Sequence, residues 1–266
     1  MAHQNKIMKA LTTAIALFLT PGLLTAAEKA TSTNKLNVLF IAVDDLKPLF
    51  NSWGTDDIIT PNIDRLSRSG TSFVNAQCQY AVCGASRASL LTGMRPDHNK
   101  VWHFGDKMRD AHPNLVTLPQ DFKNNGYTTY ALGKIFDGRC CDGWGTQDKA
   151  SWTKYLGWGD GKGMMKKYEN KKDRPPTECA DVPDDAYTDG AMANKAIKAL
   201  KQSKKQDKPL FLAVGFAKPH LPFACPKKYW DMYDREQYDP HPFQEMPTNS
   251  PKFAFQDCWE LRGGYK

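Results

Sequence analysis

The sequence lacks an apolar run long enough to cross a lipid bilayer. The stretch ALTTAIALFL, from Ala10 to Leu19, has about ten residues, whereas a membrane-spanning helix needs roughly 20. Lys6 and Lys9 precede this stretch and small residues follow it, which is the pattern of a secretory signal peptide. We therefore predict that residues 1–27 are a signal peptide, that the protein is exported (periplasmic or secreted), and that it has no membrane span.

No cysteine follows the apolar run closely, which argues against a lipid-anchored amino terminus. Internal repeats and low-complexity tracts are also missing. Removal of the two lysines in the signal peptide lowers the formal net charge from +7 by two. The remaining modest positive charge suits an acidic substrate, and we expect no nucleic-acid partner.

Cysteine is present at seven positions, an odd number that leaves at least one thiol unpaired or joined to another chain. Residues 137–183 are rich in Gly, Lys, Trp and Cys and have little periodicity, so we predict an irregular insertion over the sheet. We predict that Cys140 or Cys141 pairs with Cys179, closing this segment, and that Cys78 remains a buried thiol.

Apolar runs alternate with helical patterns through the rest of the chain. The runs predict buried parallel strands and the periodic segments predict helices, so the expected fold class is α/β, with a doubly wound, largely parallel sheet flanked by helices. The predicted strands are LNVLFIAVDDL (36–46), a short strand at 71–76, the run at 128–134 and PLFLAVGF (209–216).

Four segments have the start and stop signals of helices. In the last of them, Ala193, Ile197 and Leu200 are spaced as on one buried face. The predicted helices are TPNIDRLSRSG (60–70), SRASLLTG (86–93), TLPQDFKNNGY (117–127) and DDAYTDGAMANKAIKALKQ (184–202).

Polar side chains follow three of the predicted strands. Asp44 and Asp45 end the first, Lys134 ends the third and His220 follows the last. Ligands of such sheets bind outside the carboxyl ends of the strands. Two adjacent acidic residues most often belong to a solvated turn, but here they directly follow a predicted buried strand. Paired carboxylates at such a position are suitable ligands for calcium or magnesium.

Cys83 begins the stretch CGASRASLLTG, in which Arg87 follows one helical turn later. A single cysteine is most often a packed thiol or half of a disulfide. A cysteine at a helix N-terminus beside an arginine instead predicts an anion pocket with a nucleophile in its floor.

Four motifs occur in order: NVLFIAVDDLKP, TPNIDRLSRSGTSFVNAQCQYAVCGASRASLLTG, ALGKIF and GFAKPHLPF. Together they resemble the sulfatases, in particular the branch that contains iduronate-2-sulfatase. The resemblance covers nearly all of residues 28–266 and implies a sulfatase N-terminal catalytic domain of the alkaline-phosphatase-like fold, incomplete at its carboxyl end.

In that family the cysteine of a C-x-P-S-R signature is oxidised to Cα-formylglycine. Its hydrate attacks the sulfur of a sulfate ester and later expels sulfate. The resemblance thus implies a sulfated carbohydrate substrate and a formylglycine-generating maturation enzyme as partners, with Cys83 as the converted residue. It also implies a calcium ion, with magnesium as an alternative, bound by Asp44, Asp45 and residue 83.

The remaining implied roles belong to basic side chains. Arg87 would hold the formylglycine oxygens, Lys134 would contact the sulfate and the hydrate, and His220 would contact the sulfate or the leaving oxygen. Such cations stabilise the charge that develops on the bridging oxygen.

Three features differ from the family pattern. Ala85 stands where the signature usually has proline, and Asp137 stands where the branch has a histidine that serves the hydrate. A carboxylate can still accept that proton. The second metal-ligand pair of the family lies beyond the matching region, so we expect an amino-terminal fragment that does not turn over an aryl sulfate by itself.

Two alternative classes remain open at this point. One is a phosphoesterase of the alkaline phosphatase superfamily, although those enzymes use two metals with a Ser or Thr nucleophile. The other is a non-catalytic sulfatase fragment that binds sulfated glycans. The mass of the tryptic peptide that contains residue 83 separates a converted cysteine from an unmodified one.

Overall fold

A parallel sheet is the centre of the structure, which is a computed structural model. The structure describes residues 35–141, 147–167, 173–240, 242–243, 245–254 and 259–265.

The strands are β1 (Val38–Val43), β2 (Thr128–Gly133), β3 (Lys154–Tyr155), β4 (Thr177–Ala180), β5 (Leu210–Phe216) and β6 (Phe223–Pro226). Four of them form the central parallel sheet, in the order β1-β5-β2-β3. The other two, β4 and β6, form a small parallel sheet.

Helices connect and flank these strands. The described helices are α1 (Pro61–Arg68), α2 (Cys83–Thr92), α3 (Pro96–Asn99), α4 (Met108–Ala111), α5 (Leu118–Asn124), α6 (Thr188–Ser203), α7 (Lys227–Trp230) and α8 (Trp259–Gly264). The 3₁₀ turns are Asn51–Trp53, Gly138–Cys140, Lys149–Ser151, Asp184–Ala186, Arg235–Gln237 and Lys252–Ala254. No helix in the described part of the chain is both long and apolar enough to span a membrane.

Strand β5 explains why the sheet has helices on both faces. Phe211 and Ala213 belong to one buried cluster, which also contains residues of α2. Leu210, Leu212 and Val214 belong to the other cluster, with apolar residues of α6. Successive side chains of a strand point to opposite faces, so a strand covered on both sides is a continuous apolar run, as the sequence predicts.

Three sequence predictions of local structure are wrong. Residues 71–76 form no strand, and Phe73 and Val74 there are largely exposed. The buried face of α6 consists of Met192, Ala196, Ala199 and Ser203, one residue away from the predicted face. The segment 137–183 is not wholly irregular, because it supplies β3 to the main sheet and β4 to the small one.

The predicted disulfide is also wrong, because Cys179 is the register partner of Cys225 rather than a neighbour of Cys140 or Cys141. None of the six cysteines in the described part of the chain is joined in a disulfide, and Cys78 is exposed rather than buried. Cys140 and Cys141 are buried, and the Cys141 thiol lies 3.6 Å from the carbonyl oxygen of Asp137. Cys179 instead lies on β4, so sequence proximity within the insertion did not identify its neighbour.

A buried ion pair holds the segment before β3 against α4. Asp148 accepts two hydrogen bonds from Arg109, at 2.7 Å from Nε and 2.9 Å from Nη2. The Ser151 hydroxyl donates to the same carboxylate. Burial raises the pKa of Asp148, but the hydrogen bonds from Arg109 and Ser151 outweigh it and the net pKa is lowered.

Replacement of Asp148 by asparagine is expected to lower the free energy of unfolding by about 3–5 kcal/mol at pH 7, because Arg109 loses its buried anion. The carboxylate stabilises the fold fully above its unfolded pKa of about 3.9, and this contribution disappears as the pH falls through the lower folded pKa. Urea titrations at several pH values measure the difference. If the difference in free energy of unfolding between wild type and variant did not become smaller below about pH 4, the stabilising role of the ionised Asp148 carboxylate would be contradicted.

Candidate active site

Asp44 lies at the carboxyl end of β1 and is the most buried acid of the site. Its backbone N–H donates to the carbonyl of Phe216, at the end of β5, at 3.0 Å. Its carboxylate accepts from Arg87 Nη2 at 2.9 Å and from Lys134 Nζ at 2.6 Å. Burial raises the pKa of Asp44, but the two cations outweigh it and the net pKa is lowered, so the carboxylate is ionised.

Arg87 connects α2 to the end of β2. Helix α2 begins at Cys83, and Arg87 follows one turn later with its side chain buried. Its Nη1 donates to the carbonyls of Lys134 and Ile135, and its Nη2 donates to Asp44. The guanidinium therefore fixes the position of Cys83 relative to the two strand ends.

Cys83 is the first residue of α2, and its thiol lies 3.6 Å from Asp137 Oδ2. Burial raises the pKa of this thiol, the charge of Lys134 opposes the shift, and the charge of Asp137 adds to it. The net pKa is raised, so the unmodified side chain is a neutral thiol near pH 7 and a weak nucleophile.

Asp137 faces Cys83 and is held by Arg139. Arg139 donates from Nε to Oδ1 at 2.8 Å and from Nη2 to Oδ2 at 2.7 Å, while its guanidinium stacks 3.4 Å from the centre of the Phe104 ring. Burial raises the pKa of Asp137, but the Arg139 hydrogen bonds outweigh it and the pKa is about 2. Such a carboxylate accepts hydrogen bonds well and retains a proton poorly near neutral pH.

Lys134 directly follows β2, and its backbone lies close against Gly215 of the neighbouring strand β5. Its N–H donates to the carbonyl of Gly215 at 2.9 Å, and a Cβ on Gly215 would collide with the Lys134 backbone. Its Nζ lies 3.7 Å from Asp137 Oδ2. Burial lowers the pKa of Lys134, but Asp44 outweighs it and the net pKa is raised, so the amine is charged.

His220 and Asp45 form the outer part of the site. His220 Nε2 lies 3.7 Å from Asp45 Oδ2 and 3.3 Å from Glu260 Oε1, and Nδ1 lies 2.8 Å from the Leu221 carbonyl. Asp45 has φ 53°, a left-handed conformation, and its side chain is half exposed. The structure thus brings His220 to the other predicted residues through Asp45 rather than by direct contact with Cys83.

A cavity of about 640 Å³ lies between β1 and α2. Asp44, Asp45, Cys83 and Arg87 are among the residues that line it. A group bound there would meet Cys83 at the N-terminus of α2 and the buried Arg87 guanidinium, which favour an anion, and also the carboxylates of Asp44 and Asp45, which favour a cation. Lys134 and Asp137 line a separate cavity of about 260 Å³.

Asp44 and Asp45 match a hard divalent cation in donor type, because carboxylate oxygens are the ligands that Ca²⁺ and Mg²⁺ take. They fall short in number. Both Asp44 oxygens already bond to Arg87 and Lys134, and within the described ranges no three His, Cys, Asp or Glu side chains group as a metal site. Ca²⁺ usually takes six to eight oxygen ligands.

Several contributing residues were not found from the sequence. Arg139 follows Asp137 by two residues, and this spacing was the available signal. Asp189, at the start of α6, accepts from the N–H groups of Ala217 and Lys218 and so fixes the loop before His220. No local pattern indicates that contact, because the partners are almost 30 residues apart.

The parallel sheet flanked by helices is the alkaline-phosphatase-like α/β fold. The phosphonate monoester hydrolase of Agrobacterium radiobacter aligns with a TM-score of 0.56 over 78% of this chain and 45% of that structure, at 22% identity. The sulfatase family model matches residues 36–248, and the chain belongs to the sulfatase family.

Curated relatives agree with the family. Iduronate 2-sulfatase of Mus musculus is 34% identical over 249 residues, which span 89% of this chain and 44% of the relative. A sulfatase of Formosa agariphila is 33% identical over 233 residues, spanning 81% of this chain and 45% of the relative. The chain therefore spans less than half the length of these two relatives.

Proposed function

We propose that this chain is part of a sulfuric ester hydrolase that removes sulfate from a sulfated sugar derived from a uronate or a polysaccharide. The observation that carries the proposal is the position of Cys83 at the start of α2, with Arg87 one turn later and Lys134 beside it. Two fixed cations next to a nucleophile position are what a sulfate ester needs as its charge redistributes.

Cys83 acts in this proposal after conversion to Cα-formylglycine, which supplies a hydrated aldehyde as nucleophile and allows sulfate to leave without a second attack by water. Arg87 orients residue 83 from one helical turn further along α2. The Arg87 side chain is itself held by hydrogen bonds to the carbonyls of Lys134 and Ile135. Asp137, which lies 3.6 Å from the residue 83 side chain, accepts a hydrogen bond from it.

Lys134 and His220 contact the substrate. The Lys134 ammonium has three N–H groups and donates one to Asp44 at 2.6 Å, so it can also donate to a sulfate oxygen. His220, at the rim, contacts the leaving oxygen. Asp44, Asp45 and residue 83 are proposed ligands of a calcium ion, or of magnesium. To bind the ion, Asp44 would have to give up or share the oxygens that now accept from Arg87 and Lys134.

The uronate assignment rests on the name of the iduronate 2-sulfatase relative. Export is likewise proposed, from the signal-peptide pattern of residues 1–27, which lie outside the described residues. A formylglycine-generating enzyme able to accept Ala85 in the signature completes the set of proposed partners.

The test combines, for the full-length protein, the mass of the tryptic peptide 69–87 with release of sulfate from an aryl sulfate and from a 2-O-sulfated uronate disaccharide in the presence of calcium. We expect the peptide mass of the aldehyde form, and sulfate release that depends on it. Faster hydrolysis of the matching phosphate esters would identify a phosphoesterase. An unconverted residue 83 in a protein that binds the sulfated disaccharide without cleaving it would identify a non-catalytic protein.

A further inference from the structure

Two cysteines face each other across the small sheet. In the parallel pairing of β4 with β6, Cys179 is the register partner of Cys225. The register is fixed beside the pair by the hydrogen bond from the Phe223 N–H to the Pro176 carbonyl, at 2.7 Å. Directly paired residues of neighbouring strands place their side chains on the same face of the sheet.

The spacing of paired strands suits a covalent bond between these residues. Neighbouring strands lie about 4.8 Å apart, and disulfides join Cα atoms separated by about 4.4–6.8 Å. Burial raises the pKa of the Cys225 thiol, and the nearby Cys179 raises it further, which agrees with adjacent sulfurs. Cys179 is exposed and Cys225 is half-buried, so an external thiol reagent reaches the first more easily.

We propose that Cys179 and Cys225 form a disulfide that joins β4 to β6. The reaction needs an oxidant, which we take to be a small-molecule disulfide such as oxidised glutathione. The thiolate of Cys179 attacks one sulfur of this reagent and releases one reduced thiol. The thiolate of Cys225 then attacks the mixed disulfide at the Cys179 sulfur and releases the second. The two protein thiols are oxidised, and the reagent is reduced to two thiols.

The bond would stabilise the loop that carries His220. Strand β6 begins shortly after His220, and Lys218 Nζ holds this loop by donating to the His220 carbonyl at 3.1 Å and the Pro222 carbonyl at 2.7 Å. A cross-link at Cys225 anchors the far end of the same loop to β4. It also closes a segment that contains α6 and β5, which restricts the unfolded chain.

Mass spectrometry tests the bond directly, without reference to activity. The full-length protein is equilibrated with excess oxidised glutathione, alkylated, and digested with trypsin without reductant. Peptides 173–195 and 206–227 each contain a single cysteine, Cys179 and Cys225 respectively. We expect a joined species of these two peptides that lacks two hydrogens and separates on reduction. Alkylated cysteine at both positions, without a joined species, would overturn the proposal.

Thermal unfolding of serine variants gives an independent readout. C179S and C225S should each lower the Tm of the oxidised protein by about 5–10 °C, and the double variant should fall no further than either single variant. C78S, which changes an exposed cysteine outside both strands, is the matched control and should leave the Tm unchanged. Additive effects of the two single variants would show that the residues are not joined.

Discussion

In the full-length protein, replacement of Cys83 by alanine is expected to reduce the rate of sulfate release by about a thousandfold or more. The substitution removes the atom that the proposed nucleophile requires and keeps the Cβ at the first position of α2. Because alanine is well tolerated in helices, the free energy of unfolding should change by less than about 1 kcal/mol. The initial rate with an aryl sulfate and a urea titration measure the two quantities separately.

Cys78 supplies a matched control for this prediction. It lies in the same tryptic peptide as Cys83, but it is exposed and precedes α2. C78A should retain the wild-type rate. If C83A also retained it, residue 83 would not be the nucleophile, and the proposed reaction would fail while the family assignment remained.

Replacement of Asp44 by asparagine is expected to lower the free energy of unfolding by about 3–5 kcal/mol. Arg87 and Lys134 would then lie in a buried site without their shared carboxylate. Asparagine has nearly the same shape as aspartate. The decrease in the free energy of unfolding is therefore caused by loss of the negative charge rather than by a cavity. Denaturant titrations near neutral pH, where Asp44 is ionised, provide the measurement.

D45N is the comparison that separates stability from function. Asp45 is half exposed and pairs with His220 at 3.7 Å, so its replacement should change the free energy of unfolding by less than about 0.5 kcal/mol. Both variants should lose sulfatase activity if both carboxylates bind the proposed metal. Equal destabilisation by D44N and D45N would contradict the buried role of Asp44.

The sequence was most informative where one local pattern determined the structure. The apolar run of β5 is covered on both faces, and α5 has Thr117 as a capping residue that accepts from the Gln120 N–H, so both elements were predicted. Phe73 and Val74 form a similar apolar pattern, but no layer of the described structure covers them. Burial is a property of the assembled fold, which a short apolar run does not reveal.

Site positions at strand ends were predictable for a related reason. Parallel strands end at one edge, so Asp44 and Lys134 were expected near each other, and they form an ion pair at 2.6 Å. The partner of Cys179 could not be found in this way, because it depends on the register of two short strands. The hydrogen bonds of Arg139 to Asp137 likewise depend on a turn whose geometry no periodicity specifies.

The pairing of β1 with β5 also dictates when the protein can fold. The side-chain oxygen of Asn37, just before β1, accepts a hydrogen bond from the Leu210 N–H. These residues are 173 positions apart. Strand β1 is therefore synthesised long before its described neighbour, β5. The entropy cost of closing the chain segment between the two strands has to be met before their pairing contributes any stability. Folding of the sheet should be slow, and until β5 is available the early strand has to remain unpaired and protected from other chains.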